Sequence, residues 1–132
     1  MLQFSANLSM LFTEVPLIER FALARQHGFD AVEIQFPYEL TPESIQAELE
    51  QYNLKLILIN VPAGDLMQGG DGLAGIPNRE QVFRQAVYEA AHYARVLNVP
   101  RVNVLAGRQP MHVDLLPCLH TLAANLRFAM DV

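Results

Sequence analysis

The stretch DAVEIQFPYELTPESIQAELEQYNLKLILIN, residues 30–60, decides the fold class of this 132-residue chain. It holds two short apolar runs, 31–36 and 55–60, with an amphipathic helical pattern between them. The helical pattern opens with Thr41 and Pro42, an N-cap residue followed by proline at the first helical position. Two strands that are joined through a helix rather than a tight turn run parallel, so this stretch predicts a βαβ unit.

The same strand-then-helix order continues on both sides of this stretch. Further strands are predicted at 2–7 and 102–106. Three further helices are predicted to begin near Thr13, Asn78 and Asp114. Four βα units are half of a (β/α)8 barrel, which needs roughly 200 residues or more. We therefore predict an α/β fold with four parallel strands, a single half of a TIM barrel over residues 1–132 that is truncated relative to the full barrel.

Composition excludes several classes of function. The net charge is −5 and Lys55 is the single lysine, so neither nucleic acid nor an anionic membrane surface would be attracted. No apolar stretch is long enough to span a bilayer, and the first residues lack the basic segment of a signal peptide. One cysteine, Cys118, allows no internal disulfide, which is typical of a reducing compartment. We expect a cytoplasmic protein without a nucleic-acid or membrane partner.

Alternation along each strand separates the side chains under helices from those that face the barrel interior. In the second strand Val32, Ile34 and Phe36 share the helix-facing side, which leaves Glu33 and Gln35 facing inward. On the first and fourth strands, the same alternation predicts that the helix-facing residues are Phe4, Ala6, Val102, Val104 and Ala106. It places in the interior Ser5, Asn7, Leu56, Leu58, Asn60, Asn103 and Leu105. Glu33 is interpreted as part of a structural network, whereas the polar residues nearest the strand ends either face a ligand or join that network.

Two features beyond the strands attract a functional interpretation. The connection 61–77, VPAGDLMQGGDGLAGIP, is long and rich in glycine, which favours a lid over the site rather than a floppy surface insertion. Arg108 follows the fourth strand and is either a bidentate partner for a substrate carboxylate or a surface ion-pair residue. The four histidines show no metal-ligand spacing, so we expect no metal site made from this chain alone.

Four segments carry a family resemblance: FSANLSMLFTEVPLIERF (4–21), GFDAVEIQFPY (28–38), NVPAGD (60–65) and GIPNRE (75–80). They resemble the hydroxypyruvate isomerase family, a branch of the xylose-isomerase-like TIM barrels that includes the 2-oxo-tetronate isomerases. The resemblance covers essentially the whole chain, and the first two segments are specific in combination. The opening segment is more similar to the 2-oxo-tetronate members and NVPAGD to the hydroxypyruvate members, so the two substrates are not separated.

The resemblance implies an isomerase of a small hydroxy-oxo acid, of the type that converts hydroxypyruvate to tartronate semialdehyde through an enediolate. In that family the catalytic glutamates and the metal-binding carboxylates lie in the second half-barrel. The resemblance therefore implies no catalytic residue, no metal ligand and no cofactor for this chain alone, and any divalent metal would belong to the complete barrel. The substrate-binding residues that it implies are Asn7, Phe36, Asn60, Asp65 and Arg108.

Because the catalytic residues of the family lie in the second half-barrel, this chain by itself is expected to be inactive. Its four strands also leave two sheet edges open. One alternative is a non-catalytic half-barrel that binds a small oxo-acid or assembles with itself, as a homodimer that closes the barrel. Another is a sugar epimerase of the same superfamily, which would share the enediolate chemistry. An endonuclease of the superfamily is less favoured, because it should show histidine ligands on the third and fourth strands and a basic groove.

Overall fold

The computed structural model describes residues 2–132, in which four parallel strands alternate with four α-helices to form an α/β half-barrel. The strands, in sheet order, are β1 (Ser5–Asn7), β2 (Ala31–Ile34), β3 (Lys55–Asn60) and β4 (Val102–Asn103). The helices are α1 (Leu17–Gln26), α2 (Pro42–Tyr52), α3 (Glu80–Val96) and α4 (Leu115–Asp131), and a short 3₁₀ helix covers Leu66–Gln68. The predicted fold class is confirmed.

The chain falls into two compact units. The first comprises residues 2–60 and His92–Asn103, which include the whole sheet, α1, α2 and the end of α3. The second comprises Val61–Ala91 and Val104–Val132, which include the 61–77 connection, the start of α3 and α4. A single domain over residues 1–132 stays a prediction.

One face of the sheet is buried beneath helices within the first unit. This helix face consists of Ala6, Val32, Ile34, Leu56 and Ile59, each at most 2% exposed. Phe21 of α1 and Ile45 of α2, both 0% exposed, belong to the same apolar cluster. Full burial of a Val, Leu or Ile side chain contributes roughly 1.5–3 kcal/mol, so the helix face makes a substantial contribution to the stability of this unit.

The opposite face of the sheet is largely uncovered. We call it the open face, and it carries Ser5, Asn7, Glu33, Leu58, Asn60 and Asn103. Of these residues only Asn60 is buried. Burial alternates along β2 from Val32 through Glu33 to Ile34, so the predicted alternation of this strand is confirmed.

The third strand has one residue more than the second over their shared length. Val32 pairs with Leu56 and Ile34 pairs with Ile59, so three steps along β3 match two along β2. This bulge puts Leu56 on the helix face, where it is 2% exposed. The prediction that Leu56 faces the interior together with Asn60 was wrong, because a simple alternation counts no bulge.

The two edge strands are shorter than predicted. β1 begins only at Ser5, and β4 ends already at Asn103. Phe4 and Val102 are 72% and 41% exposed and Ala106 is exposed as well, so the prediction that they pack under helices was wrong. A strand persists only while a neighbour supplies backbone partners, and here β2 begins opposite Ser5 and β3 ends opposite Asn103.

The N-termini of α1 and α2 differ in how well they were predicted. Thr41 caps α2 as predicted, and its hydroxyl oxygen accepts a hydrogen bond from the Ser44 N–H at 3.2 Å. α1 begins at Leu17 with Pro16 as its N-cap, not near Thr13. Phe12 has a φ of +60°, a left-handed conformation that cannot continue into a right-handed helix.

Candidate functional site

Three asparagines of the open face lie at the carboxyl ends of their strands, where ligands bind in parallel α/β folds. Asn7 ends β1, Asn60 ends β3 and Asn103 ends β4. In the sheet register Asn7 lies beside Glu33, and Asn60 lies beside Asn103. The first unit therefore brings three amides and one carboxylate together on one face.

Asn60 is the buried member of this group, with 7% of its surface exposed. Its Oδ1 accepts a hydrogen bond from Asn103 Nδ2 at 3.0 Å, and its backbone N–H donates to the Gln35 carbonyl at 2.9 Å. The Tyr38 hydroxyl donates to the Asn60 carbonyl. No described residue accepts from Asn60 Nδ2, which is not sealed from solvent. Asn60 thus links β3 to β4, and its side-chain NH2 group donates to no described residue.

Asn7 builds the turn that follows β1. Its Oδ1 accepts a hydrogen bond from the Ser9 N–H at 3.0 Å, and the Ser9 hydroxyl oxygen accepts from the Gln35 N–H at 2.8 Å. A side-chain oxygen that caps the backbone two residues onward is a common way for asparagine to fix a turn. The Asn7 Nδ2 donor has no acceptor among the described residues, so Asn7, like Asn60, combines a structural bond with a free donor.

The aromatic residues after β2 frame this end of the sheet. Phe36 directly follows the strand region and is partly buried, and Pro37 beside it is fully buried. The Tyr38 ring meets the Tyr93 ring edge-on, with centroids 5.0 Å apart, and the Tyr93 hydroxyl donates to the Leu40 carbonyl at 2.8 Å. These contacts hold Tyr38 in place for its bond to the end of β3.

Glu33 is the acidic residue of the open face. It is partly buried in the middle of β2, beside Asn7 in the register. Its carboxylate makes no hydrogen bond and no ion pair with any residue in the described range 2–132. The predicted structural network around Glu33 is therefore not formed by these residues alone.

In the second unit, Asp65 closes the 61–77 connection on itself. Its Oδ1 accepts hydrogen bonds from the Gly72 N–H at 3.0 Å and from Arg79 Nη1 at 3.1 Å. Arg79 Nη1 also donates to the Gly72 carbonyl at 2.9 Å. Gly70 lies so close that a Cβ there would clash with the Asp65 carboxylate. We call this arrangement of Asp65, Gly70, Gly72 and Arg79 the loop clasp.

The loop clasp changes the acidity of Asp65. The Gly72 N–H, and after it the Arg79 guanidinium, lower the pKa of the Asp65 carboxyl from its ordinary value, with partial desolvation acting in the opposite direction. The carboxylate is therefore ionised at neutral pH, and its Oδ1 already accepts two hydrogen bonds within the loop.

The 61–77 connection divides into a pinned segment and an exposed tip. Residues 72–76 are buried; the Gly75 N–H donates to the Ala106 carbonyl at 2.9 Å, and Asn125 Nδ2 of α4 donates to the Ala74 carbonyl at 2.8 Å. Met67 in the 3₁₀ helix is 60% exposed. The interpretation as a floppy insertion therefore fails for the pinned segment, while the tip 66–70 keeps the exposure that a covering lid needs.

Arg108 lies against the tip of the same connection. Its backbone N–H donates to the Asp71 carbonyl at 2.8 Å, and its Nη1 donates to the Gly69 carbonyl at 3.4 Å. The side chain is exposed and forms no ion pair with a described residue. Most of its guanidinium donors thus remain free for an anionic ligand.

The structure brings the five predicted substrate-binding residues into two groups. Asn7, Phe36 and Asn60 lie at the strand ends of the first unit, and Asp65 and Arg108 lie around the loop of the second. Sequence reasoning missed the supporting residues, which are Ser9, Tyr38, Arg79 and Asn125. Of these, Arg79 had a usable signal, because opposite charges at 65 and 79 flank a glycine-rich stretch.

The side-chain N–H donors at the strand ends of the first unit, and separately those of Arg108 in the second, can each donate hydrogen bonds to oxygen atoms of a polar ligand. They do not suit a metal: across residues 2–132 no three side chains of histidine, cysteine, aspartate or glutamate come together as a ligand set. No helix within that range is long and apolar enough to cross a membrane.

Half of a parallel α/β barrel with polar strand ends is the class of protein that this fold and site define. Residues 21–132 match the xylose isomerase-like TIM barrel family, and the chain belongs to that family.

Two curated relatives and one solved structure narrow the comparison. Hydroxypyruvate isomerase of Escherichia coli strain K12 is 43% identical over 132 residues, a match that covers 100% of this chain and 51% of that protein. The 2-oxo-tetronate isomerase of Cupriavidus necator is 41% identical over 129 residues, covering 98% of this chain and 50% of that protein. The crystal structure of AP endonuclease, family 2, from Brucella melitensis matches with a TM-score of 0.93 and 43% identity, covering 99% of this chain and 50% of that chain.

The chain therefore spans about half the length of the curated relatives that it matches. The resemblance to hydroxypyruvate and 2-oxo-tetronate isomerases that the sequence motifs indicated is confirmed, and the matching part is an N-terminal half.

Proposed function

We propose that this chain is the N-terminal half of an isomerase that acts on a small hydroxy-oxo acid of the hydroxypyruvate or 2-oxo-tetronate type. The observation that carries the proposal is the 43% identity to hydroxypyruvate isomerase of Escherichia coli over 132 residues. Because a 2-oxo-tetronate isomerase matches the same half at 41% identity, the proposal names the class of acid and not one substrate.

The reaction requires a base that removes a proton next to a carbonyl, and donors that stabilise the resulting enediolate. The free Nδ2 donors of Asn7 and Asn60 support a role in holding substrate oxygens, with Phe36 as an apolar wall beside them. Arg108 would bind the substrate carboxylate through its free guanidinium donors. Asp65 would act on the substrate indirectly, because its Oδ1 already accepts the two hydrogen bonds that shape the loop.

We assign the proton-transferring base to no residue of this chain. Catalysis is proposed to arise only in the complete barrel, and any divalent metal would need ligands beyond those described here. The proposed compartment is the cytoplasm, where the single cysteine would stay reduced. A homodimer that closes the barrel stays a prediction.

The names of the relatives favour this reaction over nucleic-acid cleavage. The structural relative is titled an AP endonuclease, but β3 and β4 of this chain carry no histidine and its net charge is −5. An epimerase would use the same enediolate chemistry but returns the proton to the carbon that lost it, on the opposite face, instead of to the neighbouring carbon. A half-barrel that merely binds the acid is the remaining alternative.

The test measures exchange of the hydroxypyruvate C3 protons with deuterated solvent by NMR. The chain alone should catalyse no exchange above buffer, and turnover typical of an enzyme would contradict the half-barrel assignment. Mixing the chain with the second half of the Escherichia coli relative should restore exchange. In that mixture Arg108→Gln should raise KM several-fold, whereas Arg101→Gln, which alters an exposed arginine of the first unit, should not.

If the mixture assembles but exchanges no protons of either acid, the isomerase proposal fails. If it exchanges no protons of either acid but interconverts the C3 epimers of a ketose, the epimerase alternative takes its place.

A further inference from the structure

A groove lies in the first unit at the amino end of β3, between the carboxyl ends of α2 and α3. Both helices end in the same way, because Asn53 after α2 and Asn98 after α3 take left-handed φ angles of +50° and +53°. After each asparagine, the next backbone N–H donates back into its own helix at 2.9 Å. The chain therefore leaves both helices through similar turns, and these turns form two sides of the groove.

The sheet leaves the groove open because β4 begins late. β3 begins at Lys55, but its pairing with β4 begins only at Ile59, opposite Val102. Residues 55–58 thus have no strand beside them on that side within the described range 2–132. The groove between this part of β3 and residues 96–100 has a volume of about 450 Å³. Small-molecule sites in proteins have volumes of roughly 300–1,000 Å³, so the groove is large enough to hold such a ligand.

Most of the lining of this groove is apolar. Four leucines that line it are at most 8% exposed, and two β-branched residues beside them are partly buried. Contact with such a lining removes the apolar part of a ligand from water, which favours binding. The six residues are Leu49, Leu54, Leu56, Leu97, Ile57 and Val96.

Two opposite charges line the same groove without pairing with each other. Lys55, the single lysine of the chain, forms no ion pair or side-chain hydrogen bond with any of residues 2–132. Glu50 Oε1 accepts a hydrogen bond from Gln46 Nε2 at 2.9 Å, and no described residue donates to its Oε2. The groove therefore offers one cation and one carboxylate oxygen to a ligand, together with an apolar surface.

We propose that this groove binds a small zwitterion with an apolar body, which is the chemistry of an apolar α-amino acid. Lys55 pairs with the carboxylate of the ligand, Glu50 pairs with its ammonium group, and its side chain lies against the apolar lining. A ligand with only one charge leaves one of these residues unpaired and is repelled by the other. The groove and Asn60 lie at opposite ends of β3, so the inference goes beyond the proposed isomerase and does not rest on it.

The test is an NMR titration of the ¹⁵N-labelled full chain at neutral pH and low salt, with three probes of one shape. L-Leucine carries both charges, 4-methylpentanoate lacks the ammonium group, and 3-methylbutylamine lacks the carboxylate. L-Leucine should shift the amide signals of Leu56 and Leu97. Its dissociation constant should be about three- to fivefold lower than that of either other probe, because each ion pair at an exposed site adds only modest affinity.

Two variants assign the charges. Lys55→Gln should weaken L-leucine about threefold and should not weaken 3-methylbutylamine, which has no carboxylate to lose a partner. Glu50→Gln should weaken L-leucine to a similar extent and should not weaken 4-methylpentanoate. The matched controls are Arg101→Gln and Glu43→Gln, which alter exposed residues of the first unit that do not line the groove and should leave all three constants unchanged.

Three results would overturn the inference. The first is that L-leucine binds no more tightly than the singly charged probes. The second is that it shifts the signals of Asn7 and Asn60 instead of those around the groove, and the third is that neither Lys55→Gln nor Glu50→Gln weakens it. The comparison of probes uses the unaltered chain, so it stands even where a variant folds poorly. Because no readout measures isomerisation, failure of the proposed function would leave this inference standing.

Discussion

The two faces of the sheet differ in burial, even between neighbouring residues of one strand. On the helix face Ile59 is fully buried, while its neighbour Leu58 on the open face keeps part of its surface in water. The same holds for Val32 and Glu33 on β2. The described residues therefore complete one side of the sheet and leave the other to be completed, and this contrast predicts which substitutions the chain tolerates.

The largest expected effect comes from shortening a buried side chain of the helix face. Ile59→Ala should lower the free energy of unfolding by about 2–5 kcal/mol, because it opens a cavity in a closed core. Leu58→Ala, the matched control one residue away, should cost less than about 1 kcal/mol, because its side chain is only partly removed from water. Urea denaturation of both variants measures the difference, and equal losses would show that the two faces are equally buried in solution.

In the second unit, a buried polar residue can be compared with an exposed one in the same way. Asn125 is 2% exposed and its Nδ2 donates to the Ala74 carbonyl at 2.8 Å. Asn125→Ala should cost about 1–3 kcal/mol, because the carbonyl loses its partner in a buried place. Gln81→Ala on the exposed side of α3 is the control and should change the free energy of unfolding by less than about 0.5 kcal/mol. A loss no larger than that of the control would mean that the pinned segment of the loop is not held by Asn125.

A smaller effect is expected for the amide pair of the open face. Asn103 is exposed, so Asn103→Ala should cost about 0.5 kcal/mol or less even though its bond to Asn60 Oδ1 is lost. The same denaturation experiment measures it. A loss of unfolding free energy greater than that of Asn125→Ala would show that the open face is already part of a core. The two faces of the sheet would then not differ in burial.

The smallest effect should be local and dependent on pH. The folded state lowers the pKa of Asp65, so the contribution of the loop clasp is present above the ordinary carboxyl pKa of about 4. It is lost as the pH falls through the lowered value. Hydrogen-exchange protection of the Gly72 amide should decline over that range in the unaltered chain.

Asp65→Asn should show the low protection at every pH, whereas Asp71→Asn should behave as the unaltered chain does, because only the backbone of Asp71 takes part in the loop bonds. If Asp65→Asn keeps full protection at neutral pH, the loop is held closed without the clasp.

The sequence was sufficient where the pattern is local. Residues 55–60 form a nearly continuous apolar run with no Gly or Pro, and they follow a helix whose cap, Thr41, bonds locally. β3 and the start of α2 therefore lie where predicted. The edge strands were overestimated, because the length of β1 and β4 depends on partners and the apolar runs at 2–7 and 102–106 have none beyond Ser5 and Asn103.

The candidate site was predictable only in part. Asparagines at the ends of strands can be predicted from alternation, and Asn7 and Asn60 both lie on the open face, at the ends of β1 and β3. The bond between Asn60 and Asn103 depends on the register between β3 and β4, and a bulge in β3 shows how easily such a register escapes counting. The hydrogen bonds from Gly72 and Arg79 to Asp65 Oδ1 depend on how a 17-residue connection folds back on itself. No short-range sequence pattern encodes that arrangement.

The contact between Gly70 and the Asp65 carboxylate has a consequence for how this protein can diverge over generations. A Cβ at position 70 has no room while the carboxylate is in place, although position 70 does not require a glycine for its backbone angles. Each position therefore constrains the other. A lineage that acquires a larger residue at 70 should also have lost the aspartate at 65, so the two should vary together.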